Sequence, residues 1–266
     1  MPGTILGGGC KDVNADQYLR QILAREAVEC GVGAPLRRLE AVIWRLCQEW
    51  AGEDLVDVAA AGAFEKGTAN LCGVPIDFLA TVSSDTARPV AALYEDLFLL
   101  LELKGHEPIE RGVAIGIRLG DVPVDIVPAR RRAAPAAEEH QLHSSRTHKS
   151  IYTNLAWHQH DITNSDRIEE IRAIKLWRDQ HGLDFPSLYL EFTVITALRG
   201  KPYGTLAANV WSVLGYLASL FVARAVIDPS NAINIISDEL GAAEKQRIRA
   251  AALLARSGRP WQDIIA

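Results

Sequence analysis

Gly62-Ala63-Phe64-Glu65-Lys66-Gly67-Thr68 is the stretch on which the fold turns, together with the strands on either side of it. The run from Val56 to Phe64, VDVAAAGAF, reads as a short apolar strand running into a glycine-containing turn. Val74-Pro75-Ile76-Asp77-Phe78-Leu79 starts a second strand, rich in branched residues. A glycine turn after a strand leaves backbone N–H groups to face phosphate oxygens. Farther on, Val122-Pro123-Val124-Asp125-Ile126-Val127-Pro128-Ala129 sets another Asp inside an apolar strand. Ile76 and Phe78 flank Asp77, and Val124 and Ile126 flank Asp125, so each Asp faces away from its apolar neighbours. Carboxylates on adjacent strands can converge on Mg²⁺, an oxygen-seeking ion that also takes substrate phosphates. Two such ions can activate a hydroxyl and steady a leaving pyrophosphate.

Outward from this centre the pattern is mostly helical. Asp16 to Gln48 carries apolar residues at threes and fours, split by Gly31, Gly33 and Pro35 into two helices. Pro89 to Lys104 predicts an amphipathic helix with Leu93, Leu97, Leu100 and Leu101 inside. The run from Val113 to Ala129 predicts two strands joined at Gly120-Asp121. Residues 130–149 are polar and Ala/Pro-rich and read as a mobile loop between lobes. Four helices follow: Asp166 to Gln180, Ser187 to Arg199, Leu206 to Arg224 and Ala242 to Ser257. The expected organisation is N-terminal helices over 1–50, a sheet-bearing core lobe over 51–132, a connecting loop over 133–160 and a helical lobe over 161–266.

Composition narrows the function classes. The chain has 266 residues, 48% hydrophobic and 23% charged, with a formal charge of −5. That balance argues against coating duplex DNA, which relies on clustered Lys and Arg. The four cysteines, Cys10, Cys30, Cys47 and Cys72, show no metal-ligand spacing and read as reduced thiols. Val210 to Ile227 is apolar but interrupted by Ser212, Gly215, Ser219 and Arg224, so it reads as a buried helix and not a membrane span. With no secretory leader at the start, the expected location is the cytoplasm.

The motifs resemble the signature of the polymerase-beta-like nucleotidyltransferases, in the branch of the 2′-5′ oligoadenylate synthases, cyclic GMP-AMP synthase and the bacterial CD-NTases. Members of that branch read GS-x-x-x-GT, then DxD, then a third Asp in a strand like VDVVPA. Here GAFEKGT and VDIVPA match, and Asp77 and Asp125 fall where the second and third metal-binding Asp belong. Ile174-Lys175-Leu176-Trp177 resembles the helix whose lysine contacts the triphosphate. Phe185 to Glu191 resembles the segment that places a Ser and an aromatic, here Ser187 and Tyr189, beside the nucleotide. Ile227-Asp228-Pro229-Ser230-Asn231 with Asn234 resembles the late DP signature.

The resemblance implies a bilobal α+β nucleotidyltransferase fold, with a mixed-sheet catalytic lobe and a C-terminal helical lobe. It implies catalytic and metal-binding roles for Asp77 and Asp125, which would hold Mg²⁺ or Mn²⁺. Gly62, Ala63, Lys66, Thr68, Lys175, Ser187 and Tyr189 would line the nucleotide. Nucleoside triphosphates are the implied substrates, a short cyclic or linear oligonucleotide the product, an effector protein the partner, and bacterial antiphage signalling the setting.

Two positions depart from the family. Ala63 stands where the Ser of GS belongs, and Pro75 where the first Asp of DxD belongs. Proline offers no side-chain ligand and no N–H. Asp85 is a conceivable substitute carboxylate. The departures leave two functions open: a nucleotidyltransferase with an impaired two-ion clamp, or a catalytically dead module that binds a nucleotide or oligonucleotide and regulates a partner. Outside the motifs, His158-Gln159-His160 and the run Arg130 to Arg132 read as surface features, the arginines also as an attractor of polyanions.

Overall fold

The computed structural model describes residues 9–28, 34–71, 75–133, 139–201 and 204–266, with side chains from Asn14 and Arg38 onward in the first two helices. Gly31, Gly33, Cys30, Cys72, Val74 and the side chain of Cys10 lie outside the described residues. Cys47 is a free, buried thiol that burial pushes up to about 12.

Helices α1 (Gly9–Arg25) and α2 (Ala34–Ala51) lead into β1 (Leu55–Ala61), the single-turn α3 (Gly62–Glu65) and β2 (Ile76–Val82). Then come α4 (Val90–Leu103), β3 (Ile109–Arg111), β4 (Ala114–Leu119) and β5 (Val122–Arg131). The sheet order is β1-β2-β5-β4-β3. Among the described strands only β2 and β5 run parallel; the other pairs are antiparallel, and Gly120-Asp121 closes the β4–β5 hairpin in the left-handed conformation its glycine allows.

The sheet's period of two separates its faces. Phe78, Ala80, Val82, Val124, Ile126, Ile115 and Ile117 form a buried layer with Ile43, Leu46 and Trp50 of α2 and Leu93, Leu97 and Leu101 of α4. Trp50 Nε1 donates to Leu93 O at 3.0 Å and Tyr94 Oη to Ala114 O at 2.9 Å, so both aromatic tips keep a partner inside this layer. The odd-numbered residues of β2 and β5, Asp77 and Asp125 among them, consequently face the other way.

The stretch read as a mobile loop is different in its described part. Arg130 and Arg131 end β5, and β6 (His140–Ser144) and β7 (Lys149–Thr153) form a hairpin that extends the sheet from β5. These strands are short and polar, and their inward residues include Gln141 and Ser144, so no apolar alternation marks them. The rest of the 133–160 stretch includes most of α5 (Leu155–Thr163), which Asn154 caps by accepting from the Trp157 amide at 3.0 Å.

The helical lobe continues with α6 (Ile168–Gln180), α7 (Ser187–Ala197), α8 (Leu206–Ser219), the ribbon β8 (Ile227–Asp228) and β9 (Asn231–Ile235), α9 (Ala242–Ala255) and α10 (Trp261–Ile264). Its core includes Ile171, Ile174, Trp177, Tyr189, Leu190, Val210, Leu214, Phe221 and Ile248. The two N-terminal helices divide between the cores: Leu19, Ile22 and Leu23 of α1 join the helical one, whereas α2 covers the sheet. Among the described residues no helix is long and apolar enough to cross a membrane.

Candidate functional site

Pairing register brings the two acids together. Asp77 of β2 lies directly opposite Asp125 of the parallel β5, so both side chains leave the same face. Ala61 is the partner of Asp77 on the other side, and Gly116 the partner of Asp125. The row Ala61–Asp77–Asp125–Gly116 thus crosses four strands with small residues at both ends.

The Gly62 turn closes over Asp77. Gly62 sits at φ +68, and a Cβ there would lie 1.7 Å from Asp77 Oδ2. Only glycine permits both the backbone and the approach. The Ala63 amide donates to the same oxygen at 3.2 Å. Within the turn, the amides of Lys66, Gly67 and Thr68 donate to the carbonyls of Gly62, Phe64 and Ala63. Four donors of the expected phosphate cradle are therefore spent inside the protein.

Both carboxyls are pushed up. Burial raises Asp77, opposed by Lys66, the Ala63 amide and Lys175. Burial and then the charge of Asp77 lift Asp125 to about 7, against the pull of Arg111. Asp125 Oδ1 is buried without a hydrogen bond, and Arg111 Nε stands 3.5 Å from it. An unsatisfied buried carboxylate oxygen beside a second carboxyl suits one cation. Pro75 stands two residues before Asp77, and no group of three His, Cys, Asp or Glu able to hold a metal occurs among the described residues.

Lys66, Thr68 and Lys175 meet at Glu191 of α7, which was not among the expected site residues. Lys175 Nζ lies 2.6 Å from Glu191 Oε1, Lys66 Nζ 2.7 Å from Oε2, and Thr68 Oγ1 donates to Oε1 at 2.8 Å. Lys175 also donates to Thr68 Oγ1 at 2.8 Å and is 1% exposed. Burial alone would raise the Glu191 carboxyl, but Lys175 and Lys66 bring it down to about 2. The expected phosphate lysine is thus a buried strut between α6, α7 and the turn. A carboxylate within the apolar run Leu188 to Ala197 was the one sequence signal for it, because a charge there must be paired.

Other expected residues lie elsewhere. Tyr189 is wholly buried, stacked on Phe221 at 5.4 Å and edge-on to Phe185 at 5.1 Å, a core position and not a base platform. Ser187 opens α7, and its Oγ accepts from Arg178 Nη1 at 3.0 Å. Asp85 is exposed in a local turn with Ser83 and Ser84, past the far end of β2 and roughly 20 Å along the chain from Asp77, too distant to complete the pair. Arg130 donates to the carbonyls of Thr86 and Arg88 and to Gln141, and Arg132 pairs with Glu139 over the Tyr152 ring. His160 is exposed. His158, expected at the surface, is buried and lies 2.6 Å from Asp228 of the DP motif. Ser230 and Asn234 complete that cluster on Asp228, which fastens the β8–β9 ribbon to α5.

A two-lobed α+β body with a carboxylate pair under a glycine turn is the nucleotidyltransferase fold that the motifs imply. Among solved structures, the chain is similar to CdnG, a CD-NTase of Bradyrhizobium diazoefficiens in complex with GTP, at 14% identity and a TM-score of 0.69 over 91% of this chain and 92% of that one. It is likewise similar to CdnC of E. coli MS115-1 with ATP, at 18% identity and a TM-score of 0.65 over 95% and 92%. The Cid1 poly(U) polymerase bound to MgATP follows the same fold at 13% identity and a TM-score of 0.61 over 94% and 98%. No protein-family model matches the chain, and none of the curated proteins does.

Proposed function

We propose that the cleft binds a nucleoside triphosphate and that nucleotidyl transfer, the reaction of the similar structures, is slow in this chain. The observation that carries this reading is the in-register pair Asp77 and Asp125 beneath the Gly62 turn. Asp77 and Asp125 would hold one Mg²⁺ or Mn²⁺, an ion that readily takes phosphate oxygens and water as well. Such an ion supplies charge to the phosphates. The hydroxyl-activating half of a two-ion centre lacks its carboxylate at Pro75. A turning-over enzyme would release pyrophosphate and join nucleotides into a short cyclic or linear oligonucleotide, the antiphage signal implied by the resemblance. CdnC of E. coli MS115-1 forms a complex with a HORMA protein, and an effector or regulator of that kind is the partner we assign to this chain.

A second reading, a catalytically dead binding module, is favoured by Glu191, which already neutralises both Lys66 and Lys175. Incubation with the four ribonucleoside triphosphates in Mg²⁺ or Mn²⁺, followed by chromatography, separates the two. The unaltered protein is expected to give little or no oligonucleotide. The double variant Pro75→Asp with Ala63→Ser should gain on the order of 10²-fold or more, the usual worth of one strong electrostatic group. Robust synthesis by the unaltered protein in Mg²⁺ would show that another ligand completes the site. No gain in the double variant would support the binding module.

A further inference from the structure

Arg111 ends β3, two strands away from Asp125, and still reaches it. Arg111 pairs with Ala114, and Gly116, two residues on, pairs with Asp125. The reach depends on Gly116. A Cβ at that position would lie 2.6 Å from Arg111 Nε, 3.0 Å from Arg111 Cδ and 2.9 Å from Asp125 Oδ1. The absent side chain is a passage through which the guanidinium stem crosses β4 and meets the carboxylate. Arg111 Nε and Asp125 Oδ1 stand 3.5 Å apart, while the arginine side chain is 45% exposed. The two terminal nitrogens of Arg111 make no hydrogen bond to another described residue. The other cations near the pair are committed differently: Lys66 and Lys175 are locked on Glu191. Beside Asp125 there is therefore a fixed positive charge with a free face.

Resting on the nucleotide-binding reading above, we propose that Arg111 binds the phosphates of the triphosphate and so allows its capture without a divalent ion. A guanidinium presents a planar fork of donors that matches phosphate oxygens in pairs and never loses its charge at accessible pH. Asp125 holds that fork by charge alone, 3.5 Å from Nε and without a hydrogen bond, and leaves the terminal nitrogens for the ligand. The protein thereby keeps a fixed, non-exchangeable charge at the site, which suits holding a phosphate better than activating a hydroxyl.

The test is calorimetric titration of the full chain with inorganic tripolyphosphate and with each of the four ribonucleoside triphosphates, in EDTA and again in Mg²⁺. The unaltered protein should still bind measurably in EDTA, though more weakly than in Mg²⁺, where an ion on Asp77 and Asp125 would add its charge. Arg111→Gln should weaken binding in EDTA by about tenfold or more, the scale of a lost charge-assisted hydrogen bond. Arg111→Lys should recover only part, because it keeps the charge and loses the fork. Arg111 is half-exposed, so an unchanged melting temperature checks that both variants fold. Binding that requires Mg²⁺ and is indifferent to Arg111→Gln would overturn this proposal and leave the nucleotide-binding reading standing. Binding of none of the probes under either condition would overturn both.

Discussion

Gly62 and Gly67 share the same φ of +68, in one turn, five residues apart, and differ in what surrounds them. A Cβ at Gly67 meets nothing within 4 Å; at Gly62 it falls 1.7 Å from Asp77 Oδ2. Substitution by Ala at either position incurs the left-handed strain of an L-residue, about 1–2 kcal/mol. At Gly62 it must also expel the Asp77 carboxyl, an overpacking term of about 1–3 kcal/mol more. Gly67→Ala should therefore lower unfolding stability by the strain alone, and Gly62→Ala by the sum. Urea denaturation of the two variants checks this. The pair Gly62→Ala with Asp77→Gly should be less destabilised than the separate losses add to, because the clash disappears with the carboxyl. Equal losses at Gly62 and Gly67 would mean that the turn does not close on Asp77.

At the scale of elements, α6, α7 and the turn are joined by one buried carboxylate. Glu191 is fully buried and Lys175 nearly so, with Lys66 at 11% exposure on the rim. Removing one member of a buried ion network strands its partners, commonly at about 3–5 kcal/mol. Glu191→Gln should fall in that range by chemical denaturation. Lys66→Met should cost less, since Glu191 then keeps Lys175. The carboxyl's depression from 4.5 to about 2 fixes the pH course: its contribution is present above pH 4.5 and is lost as pH falls through 2. Glu191→Gln should accordingly remove part of the acid lability between those values. A loss under 1 kcal/mol would return Lys175 to a role outside the core.

Most of the surrounding elements were legible. The two Asp-bearing strands declare themselves by branched residues with a single polar interruption, and α4, α6, α7, α8 and α9 by their spacing. Less legible were features made by contact between distant segments: Glu191 lies 125 residues from Lys66, and Arg111 acts only through the gap at Gly116. The lysine of IKLWR matched a motif, yet spacing cannot tell a helix with one neighbour from one covered by α1, α7 and α8, where even a lysine is enclosed. The β6–β7 hairpin escaped because its pattern is polar, and its stability comes from extending a sheet already formed.

At the scale of the whole molecule, the described residues form two hydrophobic cores, and the site lies where they meet, so what fastens one to the other also fixes the turn. Arg172 of α6 is central to that fastening. Its Nη2 donates to the carbonyls of Leu23 and Glu26 near the end of α1, at 2.8 and 3.0 Å. Its Nε lies 3.2 Å from Ala69 O and 3.1 Å from Asn70 Oδ1, just past the GAFEKGT turn. Asn70 Nδ2 returns a bond to Arg172 O at 3.0 Å, and Leu71 N donates to Glu26 O at 3.1 Å. One side chain thus ties α1, α6 and the segment that leads from the turn toward β2. Hydrogen bonds to a charged donor contribute about 1.5–3 kcal/mol each when buried, less here because Arg172 is only partly buried, and truncation also leaves carbonyls unpaired. Arg172→Ala should lower global stability by about 2–4 kcal/mol. More tellingly, amide exchange should quicken over residues 24–28 and 68–71, while β2 and β5, held by their own ladder and the α2–α4 layer, keep their protection relative to the global limit. Triphosphate affinity should fall with the loosened turn even though the Arg172 guanidinium itself is turned to Leu23, Glu26, Ala69 and Asn70. If exchange rises evenly along the chain instead, Arg172 stabilises the fold as a whole, and the coupling between the lobe junction and the turn is not its work.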